Sequence, residues 1–286
     1  MDIRDLVSDS ADAIEWDPAA LVRNSRQQAL QAEPRPERDE KAGFALIVLN
    51  QPLALYHMGL IKELWKNAFI RVAADGGANQ LYDVAGEHGD ECFDDLRIII
   101  GDLDSLRDDV RSYFSQYKHT SRHATQIIHD PDQYSTDFGK AVHYVREHHR
   151  DHDILDIVAI GGLGGRVDQG LSQLHHLYLF QTDPKYSQGR MYLFNGECLT
   201  FLLKAGCHRI KVREPGQEDA FGKHVGILPV KEPSVITTKG LEWDVENWET
   251  QFGGQVSTSN HVLPHTQVVE VKTTKDVLFT IALRQV

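Results

Sequence analysis

The sequence predicts an α/β domain built on a parallel sheet, followed by an all-β sandwich domain. Between Phe44 and Phe180, short apolar runs alternate with amphipathic helical stretches, the pattern of a parallel sheet covered on both faces. Past Tyr186 the helical pattern stops, and β-rich segments separated by turn residues follow one another at the spacing of a sandwich or barrel. These two textures set the expected boundaries: a flexible N-terminal extension over 1–42, the α/β domain over 43–185 and the β domain over 186–286.

The extension mixes acids, Gln, Pro and Arg with little apolar periodicity, so it reads as unstructured apart from a short helix near "ADAIEW". The units that follow are strand "FALIVLN", helix "LIKELWKNA", strand "FIRVAADGG", helix "ANQLYDVAG" and strand "LRIII". Helix "SLRDDVRSYFSQY", strand "TQIIHD", helix "DFGKAVHYVREHH", strand "ILDIVAIGG" and helix "DQGLSQLHHLYLF" complete the series. Strands are then expected at "RMYLFNG", "CLTFLLKAG", "HRIKVR", "HVGILPV", "SVITTKG", "QVVEVKT" and "VLFTIAL".

Composition excludes several classes of function. A net charge of -12 leaves no basic face for nucleic acid or an anionic membrane. Phosphates would therefore be bound locally, by a metal or a helix end. Three cysteines, Cys92, Cys198 and Cys207, with no CxxC pair, argue against a disulfide framework and a zinc site and favour a reducing, cytoplasmic setting. The longest strongly apolar run, "FALIVLN", is far shorter than the roughly 20 residues of a membrane span. No GxSxG elbow is present, which disfavours a serine hydrolase.

Four strand ends in the first half carry chemistry. At "AADGGANQLYD", Asp75 closes a strand and Asn79 follows in a helix whose N-terminus favours anions; a tight turn with a capping Asn explains the same residues. At "IIIGDLDSL", extended geometry continuing past the strand would point Asp102 and Asp104 to one side, toward a hard cation such as Mg²⁺. A turn with a helix cap is the equal alternative. In "PDQYSTDFGKAVHYV", Ser135 or Thr136 caps a helix, and Asp132, Gln133, Asp137 and Lys140 gather beside it, offering a third carboxylate for a metal and a lysine for a phosphate. In "AIGGLGGRVDQ", four glycines precede Arg166 and Asp168 at a helix start, which favours a polyphosphate site, although neither a Walker loop nor GxGxxG is present. In the second half, "VSTSNHV" and Trp243 offer polar groups and a stacking face. Taken singly, these read more simply as a turn and a core tryptophan.

In order along the chain, "ADGGANQLYD", "GDLDSL", "DQYSTDFGKAV", "GGLGGRVDQ", "GLEW" and "FGGQVSTSN" resemble the motifs of thiamin pyrophosphokinases from about Leu46 to the C-terminus. The resemblance implies an α/β nucleotide-binding domain, a β-sandwich and a homodimer with the active site at the subunit interface. The implied reaction is transfer of pyrophosphate from ATP to thiamin. Mg²⁺ would fall to Asp102, Asp104 and Asp137, with Arg166 also catalytic. The ATP phosphates would fall to Asp75, Asn79, Gln133, Thr136, Lys140 and Asp168, and thiamin to Trp243, Ser257 and Asn260. Tyr134, Val167 and Phe279 depart from the family pattern. A nucleotide-sugar transferase would also use a DxD behind a strand, and a thiamin or nucleotide sensor would bind without turnover. The first leaves Trp243 and the "STSN" run unused, and the second has no need of the full carboxylate set.

Overall fold

The structure, a computed structural model, describes residues 13–23, 43–53, 56–88, 93, 95–116, 124–148 and 154–284. The chain divides into two compact units: one from Leu21 to Leu199, the other joining residues up to Ala20 with those from Thr200 onward. The described chain starts with strand β1 (Ile14–Trp16), which belongs to the second unit.

In the α/β unit, β2 (Phe44–Val48), α1 (Met58–Asn67), β3 (Ile70–Ala74), α2 (Gly77–His88), β4 (Ile98–Gly101) and α3 (Asp108–Ser115) come first. They are followed by β5 (Gln126–His129), α4 (Asp137–His148), β6 (Asp156–Ile160), α5 (Val167–Phe180) and β7 (Met191–Phe194). The strands lie in the order β7-β6-β2-β3-β4-β5, and neighbours are parallel throughout. Every residue of β2 and β4 is buried, which is why those strands read as unbroken apolar runs instead of alternating ones. At the edge, β5 has exposed ends, and its apolar run is correspondingly short. Helix α4 buries Phe138, Ala141, Val142 and Val145, the spacing that places one helical face against a sheet.

Strand order decides where a ligand can sit. From β2 the chain steps outward to β5 and then returns to β6 on the other side of β2. The carboxyl ends of β2 and β6 thus flank a reversal of strand order, where open α/β sheets form their binding crevice.

The β unit begins within β8 (Cys198–Leu203) and contains β9 (Gly206–Lys211), β10 (Phe221–Leu228), β11 (Ser234–Lys239), β12 (Trp248–Thr250), β13 (Ser257–His261), β14 (Val268–Thr273) and β15 (Val277–Leu283). One sheet runs β1-β9-β14-β11-β12, and β13-β10-β15-β8 form the other face of the sandwich. Trp16, Phe201 and Phe279 are fully buried. The ring of Phe201 lies 4.6 Å from that of Trp16 and 5.3 Å from that of Phe279, so the two sheets meet through aromatic packing.

Three expectations need correction. The first is the tail: Ile14–Trp16 form a strand, not a helix, paired in parallel with His208–Ile210, and Trp16 donates its indole N–H to His208 Nδ1 at 3.1 Å. One buried tryptophan anchors the segment, and a lone aromatic has no periodicity for a pattern search to detect. The remainder of the extension, 1–12 and 24–42, lies outside the described residues. The second is the boundary, which falls between Leu199 and Thr200, because β7 pairs in parallel with β6 and belongs to the first unit. The third is "VSTSNHV", which is a strand and not a turn. Val225 pairs with Asn260 and Ile227 with Ser257, so β13 carries one residue more than β10 across that interval, and Ser259 sits at φ 55. This β-bulge removes the alternation by which a strand is recognised.

Candidate active site

A cavity of about 400 Å³ lies at the carboxyl ends of β2 to β6, lined among others by Gln51, Asp75, Asp102, Gln133, Thr136, Asp137, Gly161 and Arg166. Its acidic floor follows from how three strands end. Asp75 turns the chain out of β3 at φ 43, its backbone N–H donating to Ile100 O at 2.9 Å. Strand β4 ends at Gly101, where a Cβ would stand 2.7 Å from Asp75 Cβ and 2.8 Å from Asp137 Oδ1. Only glycine lets these carboxylates converge. Asp137 opens α4, whose dipole favours an acid there, and Asp102 donates its backbone N–H to Asp137 Oδ1 at 3.3 Å.

Oxygens of Asp75, Asp102 and Asp137 lie within 4.8 Å of one another. Asp75 is buried, and its Oδ1 has no hydrogen-bond partner. Burial, reinforced by the charges of Asp137, Asp104 and Asp102 and opposed by the Ser105 backbone N–H, pushes its carboxyl up to about 6. Asp102 shifts the opposite way, lowered by the Asp104 N–H and the Gln133 amide. Three hard oxygen donors, one of them buried and unpartnered, match what a divalent cation requires. Asp104 stands outside this trio. Leu103 takes φ 62, so extended geometry stops at Gly101 and the two carboxylates of the DxD diverge. Asp104 instead accepts from Ser105 Oγ at 2.9 Å and donates its N–H to Asp102 Oδ1 at 3.2 Å.

Two residues expected to touch ATP serve the scaffold. Asn79 donates to Ser105 O at 2.7 Å and accepts from Arg107 N at 3.1 Å, so its amide braces the loop that carries the acids. Lys140 is buried, with Nζ 3.0 Å from Asp130 O and 3.2 Å from Asp137 Oδ1; its charge is already spent on a carbonyl and a carboxylate. Thr136 caps α4 by accepting from Gly139 N at 3.0 Å. Gln133 reaches Asp102 Oδ2 at 3.2 Å. Arg166 and Asp168 are exposed and paired through Nη2 and Nε, at the start of α5 and beside the cavity.

The glycine turn after β6 is held by residues the sequence did not single out. Tyr56 Oη accepts from Gly161 N at 2.7 Å and donates to Phe194 O at 2.6 Å; burial pushes the phenol up to about 12, keeping the donor proton in place. Gln173 accepts from Leu163 N. Asn50 and Gln51, also on the rim, had a readable signal: they stand at the carboxyl end of a buried strand. Tyr56 and Gln173 had none.

In the β unit Trp243 is 55% exposed, contrary to a core role. Its backbone is clamped at both ends by Asn260, which accepts from Trp243 N at 3.1 Å and donates to Trp243 O at 2.9 Å. Asn260 is buried, turned inward by the bulge. Both ends of its amide are engaged with backbone, so the side chain presents Trp243. Asp244 fixes the same turn, accepting from Gly240 N, Leu241 N and Thr238 Oγ1. Ser257 is half-buried at the start of β13.

A catalytic-domain model of thiamin pyrophosphokinase matches residues 61–187, and a model of the vitamin B1 binding domain matches 207–278. The chain belongs to the thiamin pyrophosphokinase family. A thiamine pyrophosphokinase from Oryza sativa is 36% identical over 255 residues, covering 85% of this chain and 88% of the relative. One from Saccharomyces cerevisiae is 30% identical, covering 84% and 85%. The crystal structure of yeast thiamin pyrophosphokinase superposes with a TM-score of 0.77 at 25% identity, covering 97% of this chain and 95% of that one. The Candida albicans structure, at 24% identity and a TM-score of 0.75, covers 98% and 96% and shows the fold. The catalytic model spans the lining of the acidic cavity except Leu49, Asn50 and Gln51 after β2, and the B1 model spans Trp243, Ser257 and Asn260.

Proposed function

We propose that this member of the family transfers the pyrophosphoryl group of ATP to the hydroxyethyl oxygen of thiamin. The hydroxyl oxygen attacks the β-phosphorus, the bond from that phosphorus to the bridging oxygen breaks, AMP leaves with the bridging oxygen, and the hydroxyl proton passes to a carboxylate of the acidic group. The observation that carries the reading is the convergence of Asp75, Asp102 and Asp137 within 4.8 Å at the strand-order reversal of a parallel sheet.

These three residues would hold Mg²⁺, with Asp104 beside them and not among them. A divalent ion bound there would supply positive charge to phosphate oxygens in a chain whose net charge is -12. Such transfers depend on positioning and on neutralising charge spread over phosphoryl oxygens. The chain's own contribution is the N-terminus of α5 with Arg166 at the rim, and Gln133 and Thr136 at the mouth of α4. Arg166 must exchange at least one of its bonds to Asp168 for a phosphate, which leaves Asp168 to steer the guanidinium. Lys140 and Asn79 keep the carboxylates in register.

Trp243 supplies an exposed indole face for thiamin, with Ser257 nearby in sequence to Asn260, which holds that tryptophan. ATP groups and thiamin groups belong to different units of the chain, and the proposal includes the homodimer that the family resemblance implies. Among the described residues no helix is long and apolar enough to cross a membrane; a cytoplasmic location is part of the same proposal.

The test is product analysis of the purified chain with ATP, Mg²⁺ and thiamin. AMP and thiamin diphosphate in equal amounts, abolished by EDTA, are expected. ADP with thiamin monophosphate would place the attack at the γ-phosphorus, and binding of thiamin without product would make the chain a sensor.

A further inference from the structure

His261 follows Asn260 in β13, and no step of the reaction described above uses it. Its ring lies 5.0 Å from that of Trp243, tilted by 47°. His224, directly opposite in the paired strand β10, packs edge-on against it at 4.8 Å. Nδ1 of His261 is 2.6 Å from Glu242 Oε2. An ionised carboxylate only accepts, so Nδ1 carries a proton and the imidazole plane is fixed by that bond. The main chain locks the same residues together: Glu242 donates its N–H to His261 O at 2.8 Å, and His261 donates its N–H to Asn260 Oδ1 at 2.8 Å.

We infer that His261, oriented by Glu242, is a positioning residue that supports the Trp243 indole from one side and leaves its other side to a cationic heteroaromatic ligand. This rests on the reading of Trp243 as the thiamin-side platform. Two features of the geometry give it content. An indole anchored only through its backbone would be free to rotate about its side-chain bonds, and an aromatic neighbour restricts that rotation, so the entropy of ordering the ring is lost before the ligand arrives. Glu242 is half exposed, and its carboxylate adds negative charge beside a ring whose own π face attracts cations. Thiamin carries a permanently charged thiazolium, so both effects favour the same ligand.

The experiment is steady-state kinetics in both substrates for His261→Ala, His261→Phe and Glu242→Gln, with thermal melting of each variant and Trp243→Ala as the reference. His261→Ala is expected to raise the KM for thiamin about 5-fold to 10-fold, with kcat and the KM for ATP changed less than about 2-fold. His261→Phe keeps an aromatic support and recovers part of the loss. Glu242→Gln raises the thiamin KM about 3-fold at low salt, and the difference closes as salt screens the lost charge. An unchanged thiamin KM in His261→Ala overturns the inference. So does a joint fall in kcat, both affinities and melting temperature, since that pattern marks a purely structural residue. If Trp243→Ala itself leaves thiamin KM unchanged, the platform reading fails first; if Trp243→Ala raises it and His261→Ala does not, only the role of His261 is lost. Should His261→Ala not fold, His261→Phe and Glu242→Gln still decide the question.

Discussion

The acidic cavity of the α/β unit and the Trp243 turn of the β unit are both candidate binding surfaces, yet their polar groups are in opposite states. In the cavity, three carboxylates crowd together and Asp75 Oδ1 is buried without a partner. In the turn, Asn260 and Asp244 have their oxygens occupied by backbone N–H groups, and the exposed Trp243 indole stands beside a Glu242 carboxylate that is already bonded to His261. The contrast teaches what each surface lacks. The first needs charge brought to it and is held in a costly arrangement until that charge arrives. The second needs a flat partner and is already relaxed.

The strongest way to break this comparison is to remove a cavity carboxylate. Asp102→Asn is expected to lower turnover by about a thousandfold or more while leaving the melting curve intact, because the side chain is only partly buried and its amide can still accept from the Asp104 N–H. Near-normal activity would mean that the carboxylates are not the metal site. On the other side, Trp243→Ala should act on thiamin alone, raising its KM by about 10-fold to 100-fold, the range for losing one aromatic stacking partner, with the ATP KM unchanged. A parallel loss of ATP affinity would show that the two surfaces are not separable in the way their polar groups indicate.

A third test sharpens the claim that the cavity is strained without its cation. The Asp75 carboxyl titrates near 6 in the folded chain against 3.8 for the free group. Below pH 3.8 it is protonated folded or unfolded and costs nothing. As pH rises through about 6, the folded state must carry a charge it resists, so stability is lost across that window and stays lost above it. In EDTA at pH 7.5, Asp75→Asn should therefore be more stable than the parent by about 1–3 kcal/mol, with the difference vanishing near pH 4. With Mg²⁺ present the order should reverse or close, and activity should fall. A variant less stable than the parent in EDTA at every pH would remove the argument that the site is waiting for charge.

These tests also mark how far the sequence could be read. The alternation from Phe44 to Phe180 located β2 to β6 and α1 to α5, because buried parallel strands and one-sided helices have unmistakable periods, whereas β7 reads as the first strand of the β half. The carboxylates, the glycine turn and the exposed tryptophan were legible as motifs. The membership of the acidic trio was not. The resemblance put Asp104 with the metal and Asp75 with the phosphates, and the two-residue period that also pointed Asp102 and Asp104 to one side is interrupted by the positive φ of Leu103. Lys140 and Asn79 read as ligand groups because sequence shows a residue's chemistry and not whether a neighbour has already used it. Tyr56, Gln173 and His176 act through contacts 105, 10 and 40 residues away, and nothing local marks them.

His176 supplies the smallest effect and a different kind of check, because it lines the cavity away from the acidic trio. Its Nδ1 faces Ser172 O, a carbonyl that can only accept, so Nδ1 holds the proton. Nε2, 2.8 Å from Thr136 Oγ1, is left as an acceptor for that hydroxyl, which at the same time accepts from Gly139 N. A neutral ring satisfies this chain of bonds with the Thr136 hydroxyl as donor to Nε2. Burial lowers the imidazole below its ordinary value of 6.5, assisted by His175 and His143 and opposed by the bond to Ser172. The stability this confers is complete above pH 6.5 and is lost as pH falls through the lowered value, when Nε2 gains a proton and the Thr136 hydroxyl loses its acceptor. His176→Gln should abolish that acid-side slope, and Thr136→Val should cost about 1 kcal/mol at neutral pH, the usual worth of a helix cap. Denaturant titrations between pH 5 and 8 separate the two. If the slope persists in His176→Gln, the cap of α4 is not coupled to this ring, and the wall of the cavity is held by the sheet alone.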